Sequence, residues 1–328
     1  MKTLNWAILG PGGIAAEFAE AVHGAGGTIY AAGSRSLDRA KDFAEKHHIE
    51  KAFGDYDEML KDNNIDIVYL STPHSNHYEY LIKCLENGKH VLCEKAITVS
   101  SKQLNRVVQL AKDKHLIVAE AMTIYHMPLY RKLKEMVAGG KIGQLKMVQV
   151  SFGSLKPYDV KSRFFNMDLA GGALLDIGTY ALSFTRFFLS SQPGEILTTV
   201  KPFETGVDEQ SGIILKNPDD EMAVITLTMR AKLPKRGIVT GDKAYITVDN
   251  FPRASSATIT YPDGTAEVIE AGDTSKAMVY EFEDMNSAVC GDGTENTLPL
   301  SIDVMSILSN VREQWGIRYP FESLKSDH

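Results

Sequence analysis

The sequence predicts a doubly wound α/β Rossmann domain followed by an α+β domain with a large, mainly antiparallel open sheet. Three observations carry this. Residues 1 to about 120 alternate short apolar runs with amphipathic segments, the first run ends in a glycine-rich turn, and strand-like segments dominate after residue 120. Runs apolar throughout suit parallel strands covered on both faces, and strand–helix alternation builds a doubly wound sheet. At 328 residues two domains are expected. The change of pattern sets them at 1–122 and 123–328, with the closing helix free to pack back on the first.

In chain order, strands are expected at 4–9, 28–32, 65–70, 90–93 and 116–119, each short and rich in Ile, Val, Leu or Ala. Amphipathic helices fall between them at 14–23, 37–47, 77–87 and 101–112. Gly88 stands at a helix C-terminal cap, and Ser100 with Gln103 has capping-box spacing. A helix over 128–138 stops at Gly139-Gly140. Strands follow at 145–154, 196–203, 211–215, 222–230, 244–248, 257–261 and 266–269, with Asp263-Gly264 as a hairpin turn. Helices over 276–289 and 298–315 close the chain.

Thirty-five basic against 42 acidic residues give a net charge of −7, which argues against nucleic-acid or membrane-surface partners. The basic cluster from Lys232 to Arg236 around Pro234 reads as a solvated turn. Three cysteines, Cys84, Cys93 and Cys290, are too few and too irregular for a disulfide framework or zinc site, and no metal is expected. The apolar start is too short for a signal peptide, and no run approaches the ~18 apolar residues of a membrane span. A cytoplasmic protein is expected.

The first strand runs into Gly10-Pro11-Gly12-Gly13-Ile14-Ala15, a G-x-G-x-x-A turn opening a helix. Gly10 suits the tight turn, Gly12 allows close approach of a pyrophosphate, and Ala15 allows close helix–strand packing. The helix N-terminus adds unpaired N–H groups and the positive end of its dipole. At the end of the second strand, Gly33-Ser34-Arg35-Ser36 lacks the carboxylate that binds a ribose 2′-hydroxyl in NAD sites. A hydroxyl and a guanidinium suit a 2′-phosphate instead, so NADP(H) is favoured over NAD(H).

Asp176 and Tyr180 are four apart on an otherwise apolar helix and share a face. Core hydrogen bonds or chemistry would each account for them. His74 and His77 have ligand-like spacing without a third metal ligand. His126 follows the fifth strand, where a substrate contact is expected, and Tyr125, Phe152, Tyr158, Arg163 and Phe164 are candidates for a substrate wall.

Three motifs in order resemble the Gfo/Idh/MocA oxidoreductases: Ser71-Thr72-Pro73-His74-Ser75-Asn76-His77, Cys93-Glu94-Lys95-Ala96, and the run from Gly171-Gly172 through Asp176 to Tyr180. The likeness spans nearly the whole chain. It implies that Ser71, Thr72, Pro73, His74 and His77 line a cofactor cleft, that Glu94 and Lys95 carry the family's Glu-Lys-Pro motif, and that Lys95 serves the substrate hydroxyl. It makes Asp176 and Tyr180 the aspartate-plus-four catalytic pair. Two departures stand out. Ala96 replaces proline, which leaves the geometry of the Lys95–Ala96 bond open, since a non-proline cis bond costs ~2.5–4 kcal/mol. Tyr180 replaces the usual His and points to the dihydrodiol and xylose dehydrogenase branch. The function implied is NAD(P)-dependent hydride transfer on a sugar, polyol or diol. The competing readings are a glycoside hydrolase with retained NAD and a cofactor-binding sensor without turnover. A homodimer or higher oligomer built on the open sheet face is expected.

Overall fold

The computed structural model describes residues 4–292 and 296–323. The chain forms two compact units, one from residues 4–121 with 275–292 and 296–299, the other from 122–274 with 300–323. Residues 275–292 and 296–299 therefore depart from the division expected at 122/123: they follow the second sheet in sequence yet belong to the first unit.

In the first unit β1 (Trp6–Leu9), β2 (Ile29–Gly33), β3 (Lys51–Phe53), β4 (Ile67–Leu70), β5 (His90–Glu94) and β6 (Val118–Ala121) form one sheet in the order β3-β2-β1-β4-β5-β6. Every pair is parallel. The order reverses between β1 and β4, and a crevice opens at the carboxyl ends of strands where it does so. β1 and β4 are buried along their whole length, as apolar runs covered on both faces must be. The helix α1 (Gly13–Gly24) buries Ala15, Phe18, Ala19 and Val22 against the sheet, with Phe18 stacked on Tyr69 at 3.8 Å between centroids. A later helix, Ala277–Cys290, completes this core: Phe282 packs on Trp6 at 5.3 Å, and the Trp6 indole donates to Asn286 at 2.9 Å. The short β3 and the five-residue helix Tyr56–Leu60 were not expected, because runs this short show no period.

The second unit is built on eight strands in the order β14-β13-β12-β11-β7-β10-β9-β8. These are β7 (Leu145–Gly153), β8 (Glu195–Pro202), β9 (Asp208–Lys216), β10 (Met222–Thr228), β11 (Leu233–Gly241), β12 (Tyr245–Asp249), β13 (Ser256–Thr260) and β14 (Ala266–Glu270). Only β7 and β10 pair in parallel; the other neighbours are antiparallel. A helix over Thr179–Phe188 lies on one face, seated so closely that a Cβ on Gly237 would stand 2.3 Å from the Phe184 ring. The opposite face is open, with Leu197 68%, Val268 65%, Ile214 40% and Tyr245 40% exposed.

One expectation is corrected here. The basic stretch Lys232–Arg236 is not a turn; Leu233–Gly241 is a central strand, paired with β7 and β12. Pro234 hid it, because proline cannot donate to a ladder. It is accommodated at the strand's start, where the register shifts between Leu233 and Arg236.

Candidate active site

At the end of β1, Gly10 adopts φ +99, and a Cβ there would lie 3.0 Å from Thr72 Cγ2 and 3.2 Å from the Ser71 carbonyl. The close crossing of these loops requires glycine. A Cβ on Gly12 or Gly13 would meet nothing within 4 Å, so the N-terminus of α1 faces open space. No side chain caps that helix and no acid occupies its first turn. Thr72 Oγ1 is buried with no hydrogen-bond partner among the described residues. An uncapped helix start, an open approach and an orphaned hydroxyl fit a phosphate-bearing dinucleotide. At the end of β2, Ser34 is buried and its hydroxyl accepts from Ser36 N–H at 3.3 Å, while Arg35 is exposed.

The loops after β4 and β5 are locked together by histidine. His77 is fully buried, its two ring nitrogens 2.9 Å from the Ala96 carbonyl and 2.7 Å from the Thr72 carbonyl. Burial pushes this imidazole below its ordinary pKa, against the pull of the carbonyls. His74 Nε2 lies 3.0 Å from the Lys95 carbonyl. Glu94 accepts from the Tyr69 hydroxyl, and the Lys95–Ala96 peptide is cis. Glu120, 2% exposed in β6, accepts from Ile97 N–H at 3.0 Å and so anchors the far end of the Lys95 loop.

In the second unit, Leu174–Gly178 forms a π-helical turn that runs into the α-helix Thr179–Phe188. Asp176 therefore sits in a π turn rather than in a regular α-helix; such turns recur at functional sites. The turn is clamped from two sides. Leu174 N–H donates to buried Asp208 at 2.6 Å, and the Tyr319 hydroxyl donates to the Gly171 carbonyl at 3.0 Å. Gly172 has φ +116, and a Cβ there would stand 2.1 Å from Asp208 Oδ1. A Cβ on Gly171 would stand 2.8 Å from the Phe164 carbonyl oxygen. The glycine pair thus exists to let the chain reach its clamp. Burial pushes the Asp208 carboxyl up to about 7, although backbone N–H groups and Arg312 pull the other way.

Asp176 is 7% exposed, with the Arg163 guanidinium 3.7 Å from its carboxylate. Tyr180, half-buried, lines a cavity of about 610 Å³ together with Phe152, Lys235, Asp249, Arg253 and Thr274.

Models of two known domains match this chain. The oxidoreductase family with an NAD-binding Rossmann fold matches residues 4–122, and the GFO/IDH/MocA C-terminal domain matches residues 130–247. The chain belongs to the Gfo/Idh/MocA oxidoreductases. The trans-1,2-dihydrobenzene-1,2-diol dehydrogenase of Xenopus laevis is 30% identical over 331 residues, covering 96% of this chain and 99% of that protein. The NADP(+)-linked D-xylose 1-dehydrogenase of Hypocrea jecorina is 32% identical over 366 residues, covering 97% and 93%. Among solved structures, an NAD-binding oxidoreductase from Klebsiella pneumoniae superposes with a TM-score of 0.87 at 21% identity, covering 96% and 97% of the two chains.

Within this Gfo/Idh/MocA member, the residues expected from sequence fall into three groups. Gly10, Gly12, Gly13, Ile14, Ser71, Thr72 and Pro73 gather at the carboxyl ends of β1 and β4. His77 was expected to line the cofactor cleft; it is instead a fully buried brace between loops, because both its nitrogens are held by carbonyls. Of the substrate-wall candidates, Phe152 lines the Tyr180 cavity, whereas Tyr158, Arg163, Phe164 and His126 are not among its lining. Tyr158 is 59% exposed and donates to Glu204, and Tyr125 is a core residue whose hydroxyl donates to Ser183 at 3.0 Å. Sequence reasoning missed Glu120, Asp208 and Lys235. Glu120 carried a signal, a lone carboxylate in an apolar strand; Asp208 did not, since Glu209 stands beside it.

Proposed function

We propose that this oxidoreductase transfers a hydride between a CH–OH carbon of a sugar, polyol or diol and a nicotinamide cofactor, with Tyr180 as the proton-transfer group and Asp176 and Lys95 beside it in role. The observation that carries this reading is Tyr180 on the wall of a cavity, one turn beyond a buried Asp176 on a helix clamped at its start. The dehydrogenases of dihydrodiol and xylose to which the chain is similar support the substrate class. When bound, the nicotinamide supplies the redox step. Gly12, Gly13 and the first N–H groups of α1 would hold the pyrophosphate, with Thr72 as a further donor. The phenolate of Tyr180 takes the hydroxyl proton in the oxidative direction. A panel of sugars and diols, each with NADP⁺ and NAD⁺ and read by absorbance of the reduced cofactor, tests the reading. No reduction with any of them sinks it.

NADP(H) is the proposed cofactor. Arg35 stands exposed after β2, and Arg39 follows one turn into the next helix, both acting on Tyr56. Arg35→Ala is expected to weaken NADP⁺ by ~1.5–3 kcal/mol, the range for a hydrogen bond to a charged group, and to leave NAD⁺ nearly untouched. Titration of both cofactors decides it; equal loss for the two removes the proposal.

A second copy of the chain is the proposed cover for the open sheet face. Register places Leu197, Ile214, Val224, Ile238 and Val268 in one row across the sheet, interrupted by Gln149, Thr247 and Thr258. Patches of this kind mark interfaces. Light scattering at micromolar concentration is expected to give a dimer or larger, and Ile214→Asp to give a monomer. A wild-type monomer overturns this.

A further inference from the structure

We infer that the alcohol entering the Tyr180 cavity carries an anionic substituent, a carboxylate or a phosphate, which Lys235 recognises. The inference rests on the reading of Tyr180 as the proton-transfer group and adds the charge of its substrate.

The cavity wall opposite the helix is made where β11 and β12 meet the turn that follows them. Two neighbouring cations there have different fates. Arg236 holds Asp249 by two N–H bonds of 2.7 and 3.1 Å, so the one carboxylate in the cavity lining is already neutralised. Lys235 carries its ammonium over the face of Phe152, 5.1 Å from the ring centroid. Among the described residues no carboxylate lies within ion-pair distance of it. Arg253 brings a guanidinium to the same lining. A cationic wall in a chain of net charge −7 runs against the protein's overall sign.

This wall is built on the core rather than on a loose loop. Asn250 N–H donates to the Lys235 carbonyl at 2.7 Å, and Asn250 itself takes the left-handed conformation, φ +52. The next residue, Phe251, is fully buried against Phe152 at 5.7 Å and Phe184 at 5.3 Å. Phe152 is therefore the shared floor of the cavity. Tyr180 lies 6.3 Å from its ring centroid, and Lys235 reaches the same ring. Proton transfer and charge recognition thus border one aromatic ring and one cavity, and its 610 Å³ is ample for a sugar-sized molecule. An ammonium resting on an aromatic face in water gains little. Paired with a ligand oxyanion, it makes a charge-assisted hydrogen bond, which is about twice as strong as a neutral one.

The test compares aldoses with their uronates and their phosphates, matched in stereochemistry, using the full chain with saturating NADP⁺. The readouts are kcat/KM and, separately, calorimetric binding of each compound. At least one anionic series is expected to exceed its neutral counterpart about tenfold or more in kcat/KM. The better series tells carboxylate from phosphate. Lys235→Met keeps the stem and removes the charge; it is expected to collapse that ratio about tenfold, chiefly through KM, and Lys235→Arg to retain most of it. Neutral sugars turned over as well as anionic ones, or a ratio unchanged in Lys235→Met, overturns the inference and leaves the dehydrogenase reading standing. Lys235-dependent binding of anions with no cofactor reduction keeps the inference and removes that reading. Absence of both binding and turnover for every anion tested overturns the inference.

Discussion

Tyr180→Phe is expected to lower kcat at least tenfold, and by as much as the ~10²–10⁴ that acid/base help is usually worth, with folding and cofactor affinity unchanged. The substitution keeps the ring that faces Phe152 across the cavity and deletes only the oxygen. Cavity shape therefore survives, and a loss in rate reports the hydroxyl alone. An unperturbed phenol titrates near ~10, too high for a base at neutral pH, so the wild-type rate should also carry a pH-dependent step that the variant lacks. Circular dichroism and cofactor titration establish that the variant folds and binds. Turnover near the wild-type rate would make Tyr180 a cavity wall and nothing more, and Lys95 would become the leading acid/base candidate.

The second large effect concerns Asp208. Its folded pKa is raised to about 7 by burial, above the ordinary ~3.9 of the unfolded chain. A carboxyl with a raised folded pKa contributes most stability below the unfolded pKa and loses it as pH rises through the folded one. Between about pH 4 and pH 7 the wild type is therefore expected to lose stability on the order of a few kcal/mol from this group. Asp208→Asn keeps the shape and the acceptor for Leu174 N–H but cannot ionise. The stability of the variant minus that of the wild type, from urea unfolding at pH 4 to 8, is expected to rise with pH. A flat difference, or one that falls, shows that Asp208 ionises freely in its clamp and that Arg312 outweighs burial.

The Rossmann unit was legible because its signals are local. Apolar runs at β1 and β4, the glycine turn after β1 and the amphipathic helices between strands each lie within about fifteen residues of chain. In the second unit the strands of ordinary composition were legible too. β11 was not, since Pro234 and three cations in five residues read as a turn when only sequence neighbours are weighed. Its strand character comes from β7 and β12, far away in sequence. The site divides the same way. Motif residues such as Gly10, Thr72 and Tyr180 announce themselves by spacing, whereas Asp208 acts on Leu174 across 34 residues. His77 looked like a ligand-facing residue for the same reason, as its two carbonyl partners become visible only when the loops after β4 and β5 are brought together.

The helix Ala277–Cys290 has a consequence for how this chain comes into being. Met278, Phe282 and Met285 belong to the same buried cluster as Trp6, Phe18 and Val22. Domains emerging from a ribosome generally fold in order of synthesis, the N-terminal one first. Here the first sheet can be made early, but one side of its core stays exposed until some 150 further residues have been translated. The nucleotide-binding unit is thus begun first and completed nearly last. The open flank of Trp6 and Phe18 is the surface a chaperone would have to guard in the interval.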